Sequence, residues 1–459
     1  MKIMKVVLLA AGRSKRLKPI EDKNFLSFLG KPLIQRQLEQ LASVGISRDR
    51  SLQKEDQSQI IVVGGKHNLK NLQKFARNSS YHVKIVEQKN LDDGMAGAIL
   101  SVEKYVKNND MLIVSAQDVV EAEAYQSLIQ ASRNYKNMDG FLVGKNVSSY
   151  FPGGYLKVKK NGLITGIVEK PGAGKEPGKM INLVIHYHRN TQNLFEALRK
   201  VKPHRDDWYE TALDFLIKKN AKIKVVPYSG FWQAIKYPWH VLSVMDYFLE
   251  HVEDIFPHGR IGGRPAEVAA SATIRGKNIY FEDGVRILDN AVIVGPAYIG
   301  KNTVIATNAL VRESHIGDNC VIGFGSEIAR SYLGNSVWTH TNYIGDSIIG
   351  NDVSFGSGTV TANLRLDEGT IRTLVQNEKI DTGLLKFGLV TGDHIRCGVN
   401  ASFMPGIKVG HNCFIGGGIT VNKDIPDNQY VYGKFELMMK ENRARPNGKN
   451  RQGMQKKLI

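Results

Sequence analysis

The stretches Tyr298-Ile-Gly-Lys-Asn-Thr, His315-Ile-Gly-Asp-Asn-Cys and Tyr343-Ile-Gly-Asp-Ser-Ile repeat one six-residue pattern. In each of them an aliphatic residue precedes a glycine, and small or polar residues fill most of the other positions. Such hexads form triangular coils in which the aliphatic side chain points inward, while glycine or asparagine takes the left-handed torsions of the corners. The pattern predicts a left-handed parallel β-helix of hexapeptide repeats over residues 266–433.

The part of the chain that precedes the repeats has a different periodicity. Apolar, strand-like segments such as residues 111–115 alternate with helix-like segments such as residues 32–44. Strands that alternate with helices are typical of α/β proteins with a parallel sheet. We therefore predict a Rossmann-like α/β domain over residues 1–250 and a linker over residues 251–265.

A glycine-containing turn follows the first predicted strand. The turn Ala10-Ala-Gly-Arg-Ser-Lys-Arg16 places backbone amides and three cations at the carboxyl end of a parallel sheet, where phosphates bind in α/β proteins. Lys23 adds a further positive charge downstream. The turn predicts a phosphate site, and a plain connection between a strand and a helix remains the alternative.

The whole chain is basic. Its 459 residues carry a formal net charge of +18, and the pI is near 9.5. This charge suits nucleic acid and phosphorylated metabolites alike. Residues 434–459 are rich in Lys, Arg, Asn and Gly, which predicts a disordered basic tail. Because aromatic residues are not interleaved with the cations of this tail, nucleic-acid binding is the least favoured function.

Cysteine usage and hydropathy bear on the compartment. The three cysteines, Cys320, Cys397 and Cys413, match neither a disulfide framework nor a zinc pattern. The apolar run at the start of the chain is too short for a signal peptide and leads directly into basic residues. No stretch approaches the roughly twenty apolar residues of a membrane helix. These features predict a reduced, cytoplasmic protein with no membrane association.

The motifs of the first domain resemble those of nucleotidyltransferases that act on sugar 1-phosphates. The resemblance rests on Leu9-Ala-Ala-Gly12, Gly30-Lys-Pro-Leu33, Gln88 with Asp93-Gly-Met-Ala96, Ser115-Ala-Gln-Asp118, Gly153-Gly-Tyr155, Glu169-Lys-Pro171 and Asn182. With the hexad array behind it, the resemblance spans nearly the whole chain. It points to the archaeal-type bifunctional relatives of N-acetylglucosamine-1-phosphate uridylyltransferase.

The resemblance implies that a nucleotidyl group is transferred from UTP or dTTP to a sugar 1-phosphate, such as N-acetylglucosamine 1-phosphate, with release of pyrophosphate. Arg16 and Lys23 would neutralise the developing charge, and Asp118 would hold Mg²⁺. The implied nucleotide-binding residues are Leu9, Ala10, Ala11, Gly12, Arg16, Lys23, Gln88 and Gly94. The implied sugar-phosphate-binding residues are Gly154, Glu169, Lys170 and Asn182.

The hexad array resembles the acetyltransferase half of the same family. His340 and Tyr343 have the family's spacing, which implies that His340 is the base and that Tyr343 orients the sugar phosphate or stabilises the oxyanion. Asn363, Arg372 and Gly417 would contact acetyl-CoA or the amino sugar 1-phosphate that accepts the acetyl group. The resemblance also implies a homotrimer, because neighbouring coils build the acetyl-CoA cleft. The hexads are interrupted near residues 364–392, and this insertion resembles the one in the archaeal-type bifunctional enzymes.

Several positions depart from the family pattern. In the first domain, Ser14 and Lys15 replace the second glycine and the threonine of the phosphate loop, Met95 replaces a threonine, Val184 replaces a glycine, and Ala234 replaces a second metal-binding aspartate. In the hexad array, Gly369 and Arg372 replace lysines. Ala234 removes an oxygen ligand, which Gln233 or a water would have to replace, so two functions stay open. Either both halves are active, or the first domain is a degenerate sugar-nucleotide-binding module that regulates or trimerises an active acetyltransferase. The retained Arg16, Lys23 and Asp118 favour the first.

Overall fold

The computed structural model describes residues 4–45, 60–107, 109–189, 191–201, 207–252 and 266–445. The predicted linker lies outside these ranges except for residues 251 and 252, and so does the tail after residue 445. Residues 434–445 are exposed and have no regular secondary structure. None of the helices in the described ranges combines the length and the apolar character that a membrane crossing requires.

The first domain is an α/β domain, as predicted. Its strands are β1 (Met4–Leu9), β2 (Ser27–Phe28), β3 (Lys31–Pro32), β4 (Ile60–Gly64), β5 (Val83–Glu87), β6 (Asp110–Ser115), β7 (Asp118–Val120), β8 (Gly140–Asn146), β9 (Gly154–Val158), β10 (Ile164–Glu169), β11 (Met180–His188), β12 (Ile223–Pro227) and β13 (Trp232–Ala234). Its helices are α1 (Leu33–Ser43), α2 (Leu69–Asn78), α3 (Gly94–Ser101), α4 (Glu103–Val106), α5 (Ala122–Asn134), α6 (Thr191–Lys200), α7 (Trp208–Lys218) and α8 (His240–Glu250).

The central sheet of this domain is parallel on one side and mixed on the other. Its order is β10-β9-β11-β6-β1-β4-β5, and β8 joins β11 to β12. Strand β1 is parallel to β4 and β6, whereas β11 is antiparallel to β6. Val6 and Leu8 pack on one face of the sheet and Val7 packs on the other. Burial on both faces explains why β1 reads as a continuous apolar run.

The second domain is a parallel β-helix. Its described strands are β14 (Glu267–Val268), β15 (Thr273–Arg275), β16 (Ile279–Phe281), β17 (Arg286–Ile287), β18 (Val292–Ile299), β19 (Val304–Ile305), β20 (Leu310–Ile316), β21 (Val321–Ile322), β22 (Glu327–Ala329), β23 (Tyr332–Leu333), β24 (Tyr343–Gly345), β25 (Ile348–Ile349), β26 (Val353–Phe355), β27 (Val360–Thr361), β28 (Arg372–Val375), β29 (Glu378–Asp381), β30 (Val390–Thr391), β31 (Ile395–Cys397), β32 (Ser402–Phe403), β33 (Lys408–Val409), β34 (Phe414–Ile415), β35 (Thr420–Val421) and β36 (Tyr430–Val431). Successive coils pair in parallel at a spacing of 16 to 19 residues, which is close to the eighteen residues of three hexads.

The two residue types of the hexad have separate roles in the coil. The aliphatic residues Ile299, Ile316 and Ile344 are at most 1% exposed in the core. Asn302 and Asn319 take the left-handed φ of the corners, at 55° and 57°. The glycines that follow isoleucine were expected to take left-handed torsions at the corners. They are needed instead because they lie directly against the next coil. A Cβ added to Gly317 would lie 2.4 Å from the Gly334 carbonyl oxygen.

The interruption of the hexads forms an inserted β-hairpin. Across it the register between neighbouring coils rises to 42 residues, as in the pair Asn351 and Asp393. Strands β28 and β29 are antiparallel, and Gln376 and Asn377 form their turn with φ values of 49° and 69°. Thr373 Oγ1 donates to the Gly406 carbonyl at 2.7 Å, which holds the hairpin against the coils.

The two domains share a hydrophobic core. It includes Leu17, Phe28, Val241 and Phe248 of the first domain and Tyr298, Tyr332, Ile348 and Phe387 of the second. The Leu29 amide donates to His315 Nε2 at 3.1 Å, and the Ser27 amide donates to Tyr332 Oη at 3.2 Å. His315 is stacked between Tyr298 and Tyr332, with ring centroids 4.9 Å from each. The domains are therefore packed together and not merely joined by a linker.

Candidate active sites

A cleft of about 870 Å³ opens at the carboxyl ends of β1 and β6. Eight residues that the sequence singled out line it: Leu9, Ala11, Gly12, Arg16, Lys23, Gln88, Gly94 and Lys170. The remaining nucleotide residue, Ala10, lies beneath the cleft, and its carbonyl accepts hydrogen bonds from the side-chain amides of Asn24 and Asn68. These two amides fix the start of the loop, and the motif did not reveal them.

The loop after β1 has a conformation suited to an anion. Ser14 occupies the left-handed region, with φ 51° and ψ 21°, where glycine is otherwise preferred. Its hydroxyl is buried and has no hydrogen-bond partner among the described residues. Arg13 Nη2 pairs with Asp92 Oδ1 at 2.7 Å and so joins the loop to the opposite wall. Ser14 lines the cleft, and its buried hydroxyl is an unused donor.

Two lysines in the cleft are half-buried beside other cations. Burial lowers the pKa of Lys23 and of Lys236 to about 8, and the neighbouring Arg16 adds to the lowering, whereas Asp118 opposes it. Lys23 Nζ donates to the Ile235 carbonyl at 2.9 Å. Arg16 lies over the ring of Tyr237, with Cζ 5.4 Å from the ring centroid. Such a group of desolvated cations is suited to a polyanionic ligand.

Asp118 lies at the carboxyl end of β6, where the sequence placed it, but its donor set does not fit a protein-bound Mg²⁺. Ser115 Oγ donates to Oδ1 at 2.8 Å and Trp232 Nε1 donates to Oδ2 at 3.1 Å. The residue directly opposite on β13 is Ala234, which has no oxygen to offer from its side chain. A hard divalent cation prefers several oxygen ligands. In the ranges that the structure covers, no group of three or more metal-binding side chains is found.

The predicted nucleobase loop is held by Gln88. Its Nε2 donates to the carbonyls of Asn90, at 2.9 Å, and Gly94, at 2.8 Å. Gly94 has φ 52° and begins helix α3. Met95 lines the cleft beside it. The Gln88 amide nitrogen therefore shapes the loop, and its oxygen is the atom left for a base.

The predicted sugar-phosphate residues come together on β9, β10 and β11. Gly154 is the register partner of Glu169, and a Cβ at Gly154 would lie 3.1 Å from Glu169 Oε2. Lys170 Nζ lies 3.4 Å from Glu169 Oε1 and lines the cleft. Val184 also lines the cleft, at the position where its side chain would limit the size of the sugar.

A buried relay that the sequence did not suggest orients Asn182. His186 Nε2 lies 2.7 Å from Asn182 Oδ1, and Tyr209 Oη lies 2.8 Å both from His186 Nδ1 and from His188 Nε2. Burial lowers the pKa of His186 to about 3 and that of His188 to about 4, so both rings are neutral near pH 7. If His186 Nε2 carries the proton, Asn182 Oδ1 is the acceptor. The amide N–H groups of Asn182 are then not used by the relay.

We predict that Tyr209→Phe raises KM for the sugar 1-phosphate about tenfold and leaves KM for the nucleotide unchanged. Loss of the hydroxyl removes two hydrogen bonds, costs about 1–3 kcal/mol of stability, and releases the Asn182 amide. Steady-state pyrophosphate release with each substrate varied in turn measures the effect. The matched control is Tyr187→Phe, because that hydroxyl bonds to Asp110 at the opposite end of β6. An equal change in both KM values would rule out the relay.

The inserted hairpin of the β-helix reaches the cleft of the first domain. Gln376 at its turn lines the cleft together with Arg16 and Lys236. Ile371 and Val375 anchor the hairpin in the core that the two domains share. A side chain of the second domain is thus part of the wall of a site in the first.

We predict that Gln376→Ala lowers kcat/KM for pyrophosphate release about two- to tenfold, which is the effect of one lost hydrogen bond. Acetyl transfer by the same preparation should not change. Glu378→Ala is the matched control, because Glu378 is exposed on the same hairpin and does not line the cleft. Equal losses in the two variants would assign the effect to the stability of the hairpin.

The β-helix holds a second polar site around Tyr343. Asn363 Nδ2 donates to Tyr343 Oη at 3.0 Å and also to Asp346 Oδ2. Asp346 makes a two-bond ion pair with Arg330 at 2.7 and 2.8 Å. A Cβ on Gly345 would lie 2.5 Å from Tyr343 Oη and 2.7 Å from Asn363 Nδ2, so this glycine makes room for the pair.

The other predicted acetyl-transfer residues are spread over the coils. His340 is exposed at the corner before β24, and its backbone amide donates to Asn342 Oδ1 at 2.7 Å. Arg372 lies on the inserted hairpin, 3.9 Å from Asp381. Gly417 lies at an exposed turn after β34. Within the described residues the structure joins Tyr343 to Asn363 and gives neither of them a hydrogen bond to His340, Arg372 or Gly417.

Comparisons with known proteins agree with both halves of the structure. The family model of the MobA-like NTP transferase domain matches residues 6–155. A "Bifunctional protein GlmU" of Methanococcus vannielii is 31% identical over 457 residues, which cover 95% of this chain and 100% of that protein. A "Bifunctional sugar-1-phosphate nucleotidylyltransferase/acetyltransferase" of Sulfurisphaera tokodaii is also 31% identical and covers 94% of this chain and 99% of that protein. The chain therefore belongs to the family of bifunctional GlmU-type sugar-1-phosphate nucleotidylyltransferase/acetyltransferases.

Proposed function

We propose that the first domain transfers a nucleotidyl group from UTP or dTTP to a sugar 1-phosphate, such as N-acetylglucosamine 1-phosphate. The observation that carries the proposal is the cleft at the carboxyl ends of β1 and β6, lined by Arg16, Lys23 and Lys170. Its position and charge suit two phosphorylated substrates. Membership in a bifunctional family over nearly the full chain supports the same reaction.

In this reaction an oxygen of the sugar 1-phosphate bonds to the α-phosphorus of the nucleotide. The bond from that phosphorus to the bridging oxygen breaks, and the electron pair leaves with pyrophosphate. The nucleophile is already an anion, so the site needs no general base for it. Arg16 and Lys23 neutralise charge on the phosphates, while Lys170 holds the sugar phosphate close to the nucleotide.

The experiment that tests this proposal is pyrophosphate release by the purified chain. UTP, dTTP, CTP and GTP are each combined with glucose, glucosamine and N-acetylglucosamine 1-phosphates. Release that depends on one nucleotide and one sugar phosphate supports the transferase. Binding of nucleotide without release from any pair would favour the rival function, a degenerate module that regulates or trimerises the acetyltransferase.

We propose for the second domain the transfer of an acetyl group from acetyl-CoA to the amine of an amino sugar 1-phosphate. The hydrogen-bonded pair of Tyr343 and Asn363 supports this site, and His340 at the neighbouring corner supplies a base. Asp346 adds a carboxylate, which Arg330 holds in place.

The dispersed positions of His340, Arg372 and Gly417 support a trimer in which neighbouring subunits complete the acetyl-CoA cleft. A residue at the corner of one coil can face a residue of another subunit when three coils assemble in parallel. Multi-angle light scattering of the purified chain tests this, and a monomer with full acetyltransferase activity would refute it.

A further inference from the structure

The strand pair β7 and β13 presents one carboxylate where a protein-bound divalent cation would need several oxygens. Asp118 and Ala234 lie directly opposite each other on these strands. Both carboxylate oxygens of Asp118 accept hydrogen bonds, from Ser115 and from Trp232. Each of these oxygens keeps a lone pair for a cation, but a cation bound there would lack a second carboxylate. The phosphates of a nucleotide nevertheless need positive charge at this point.

Lys236 supplies a positive charge from the same strand end. It follows Ala234 by two residues and lines the cleft with Lys23 and Arg16. Its Nζ donates to the Pro152 carbonyl at 3.2 Å and lies 3.8 Å from the centroid of the Phe151 ring. An ammonium has three donors, so these contacts hold the group without using all of its hydrogen-bonding capacity.

The surroundings of Lys236 are arranged around the same carboxylate. Phe151 packs edge-on against Trp232, with ring centroids 4.9 Å apart, and Trp232 is one of the two donors to Asp118. Asp118 acts electrostatically on both Lys23 and Lys236. The charge of Asp118 opposes the lowering of the pKa of both lysines and so favours two charged ammonium groups in the cleft, which together carry the charge of one divalent cation.

An unused donor on the opposite wall also points to a phosphate. Ser14 is 8% exposed, and its hydroxyl finds no partner in the described parts of the chain. It lines the cleft in the loop that precedes Arg16. A buried hydroxyl without a partner costs about 1–3 kcal/mol, and a phosphate oxygen would satisfy it.

We propose that Lys236, with Lys23, binds the phosphates of the nucleotide in place of a magnesium ion held by the protein. The inference rests on the proposed nucleotidyl transfer and names the group that fills the position vacated by the family's second aspartate. It follows that nucleotide binding by this chain should depend little on Mg²⁺, whereas binding to a site built on protein-bound Mg²⁺ should depend on it strongly.

The test is calorimetric titration of the full-length chain with UTP and with dTTP, in EDTA and in MgCl₂. We expect the wild-type Kd in EDTA to lie within about threefold of that in MgCl₂ for the nucleotide that binds. Lys236→Ala should weaken binding at least about tenfold in both buffers, and Lys236→Arg should restore most of it. Lys218→Ala is the control, because this lysine is 75% exposed and pairs with Asp214 outside the cleft.

The double variant Ala234→Asp with Lys236→Gly gives an independent arm. It should bind UTP or dTTP poorly in EDTA and gain at least about tenfold in affinity in MgCl₂. Wild-type binding that disappears in EDTA, with Lys236→Ala equal to wild type in MgCl₂, would overturn the inference and leave the proposed function standing. Failure of the wild type to bind UTP, dTTP, CTP or GTP in MgCl₂ would overturn the proposed nucleotidyl transfer as well.

Discussion

Arg16→Ala is expected to lower kcat for pyrophosphate release by about 10²–10³-fold, because a charged donor aimed at the transferring phosphate is worth that much in a preorganised site. The Arg16 guanidinium lies over the ring of Tyr237, which is itself stacked on Trp239 with ring centroids 4.5 Å apart. The loop and this stack fix the direction of the guanidinium before substrate arrives. Steady-state kinetics with the preferred nucleotide and sugar phosphate measure the loss.

Two variants make this result specific. Arg16→Lys keeps the charge but loses the planar donor pair, so it should recover only part of kcat. Arg133→Ala removes an exposed arginine from the last turn of α5 and should behave as wild type. Acetyl transfer should be unchanged in all three proteins. An Arg16→Ala protein that retains more than about half of the wild-type kcat would exclude Arg16 from the transfer step.

The parts of this fold that repeat or follow a motif were visible in the sequence. The isoleucines of the hexads point inward and asparagines hold the corners, because those roles depend on residues within one coil. The reason for the glycines was not visible. Gly317 must lack a Cβ because the backbone of the next coil lies against it. The residue order within one hexad does not reveal this contact between coils.

Contacts between distant segments account for what the sequence did not predict. His186 and Tyr209 are 23 residues apart and belong to no motif, yet their hydrogen bond orients Asn182. Asp118 was correctly placed at a strand end, but the donors that occupy its oxygens come from Ser115 and from Trp232, 114 residues away. Local spacing thus located the carboxylate, and only the tertiary structure showed how it is engaged.

The inserted hairpin is a similar case. Loss of hexad phase near residue 364 predicted an insertion, and the structure contains one. Where the hairpin packs depends on Ile371 and Val375, which belong to the hydrophobic core that the two domains share. No local sequence pattern predicts this packing. The insertion begins just after Asn363 and its hairpin has Gln376 in the turn, so one short segment connects the two candidate sites.

His340→Ala is expected to lower acetyl transfer by about 10²–10⁴-fold, the range for removal of a general base, and to leave pyrophosphate release intact. The attacking amine must lose a proton as the bond to the acetyl carbon forms, and an exposed imidazole beside β24 is suited to take it. His394→Ala is the matched control, because that histidine is exposed on another coil and pairs with Asp352 at 2.8 Å.

The pH profile separates a base from a structural residue. If His340 accepts the proton, kcat/KM for acetyl transfer in the wild type should fall toward acidic pH, and this acidic limb of the profile should vanish in His340→Ala. Tyr343→Phe should keep the limb while raising KM for the amino sugar, because it removes the hydroxyl bonded to Asn363. A His340→Ala enzyme that retains the acidic limb would assign the base to another group. Asp346, only 6% exposed and bonded to Asn363, would then be the carboxylate to examine.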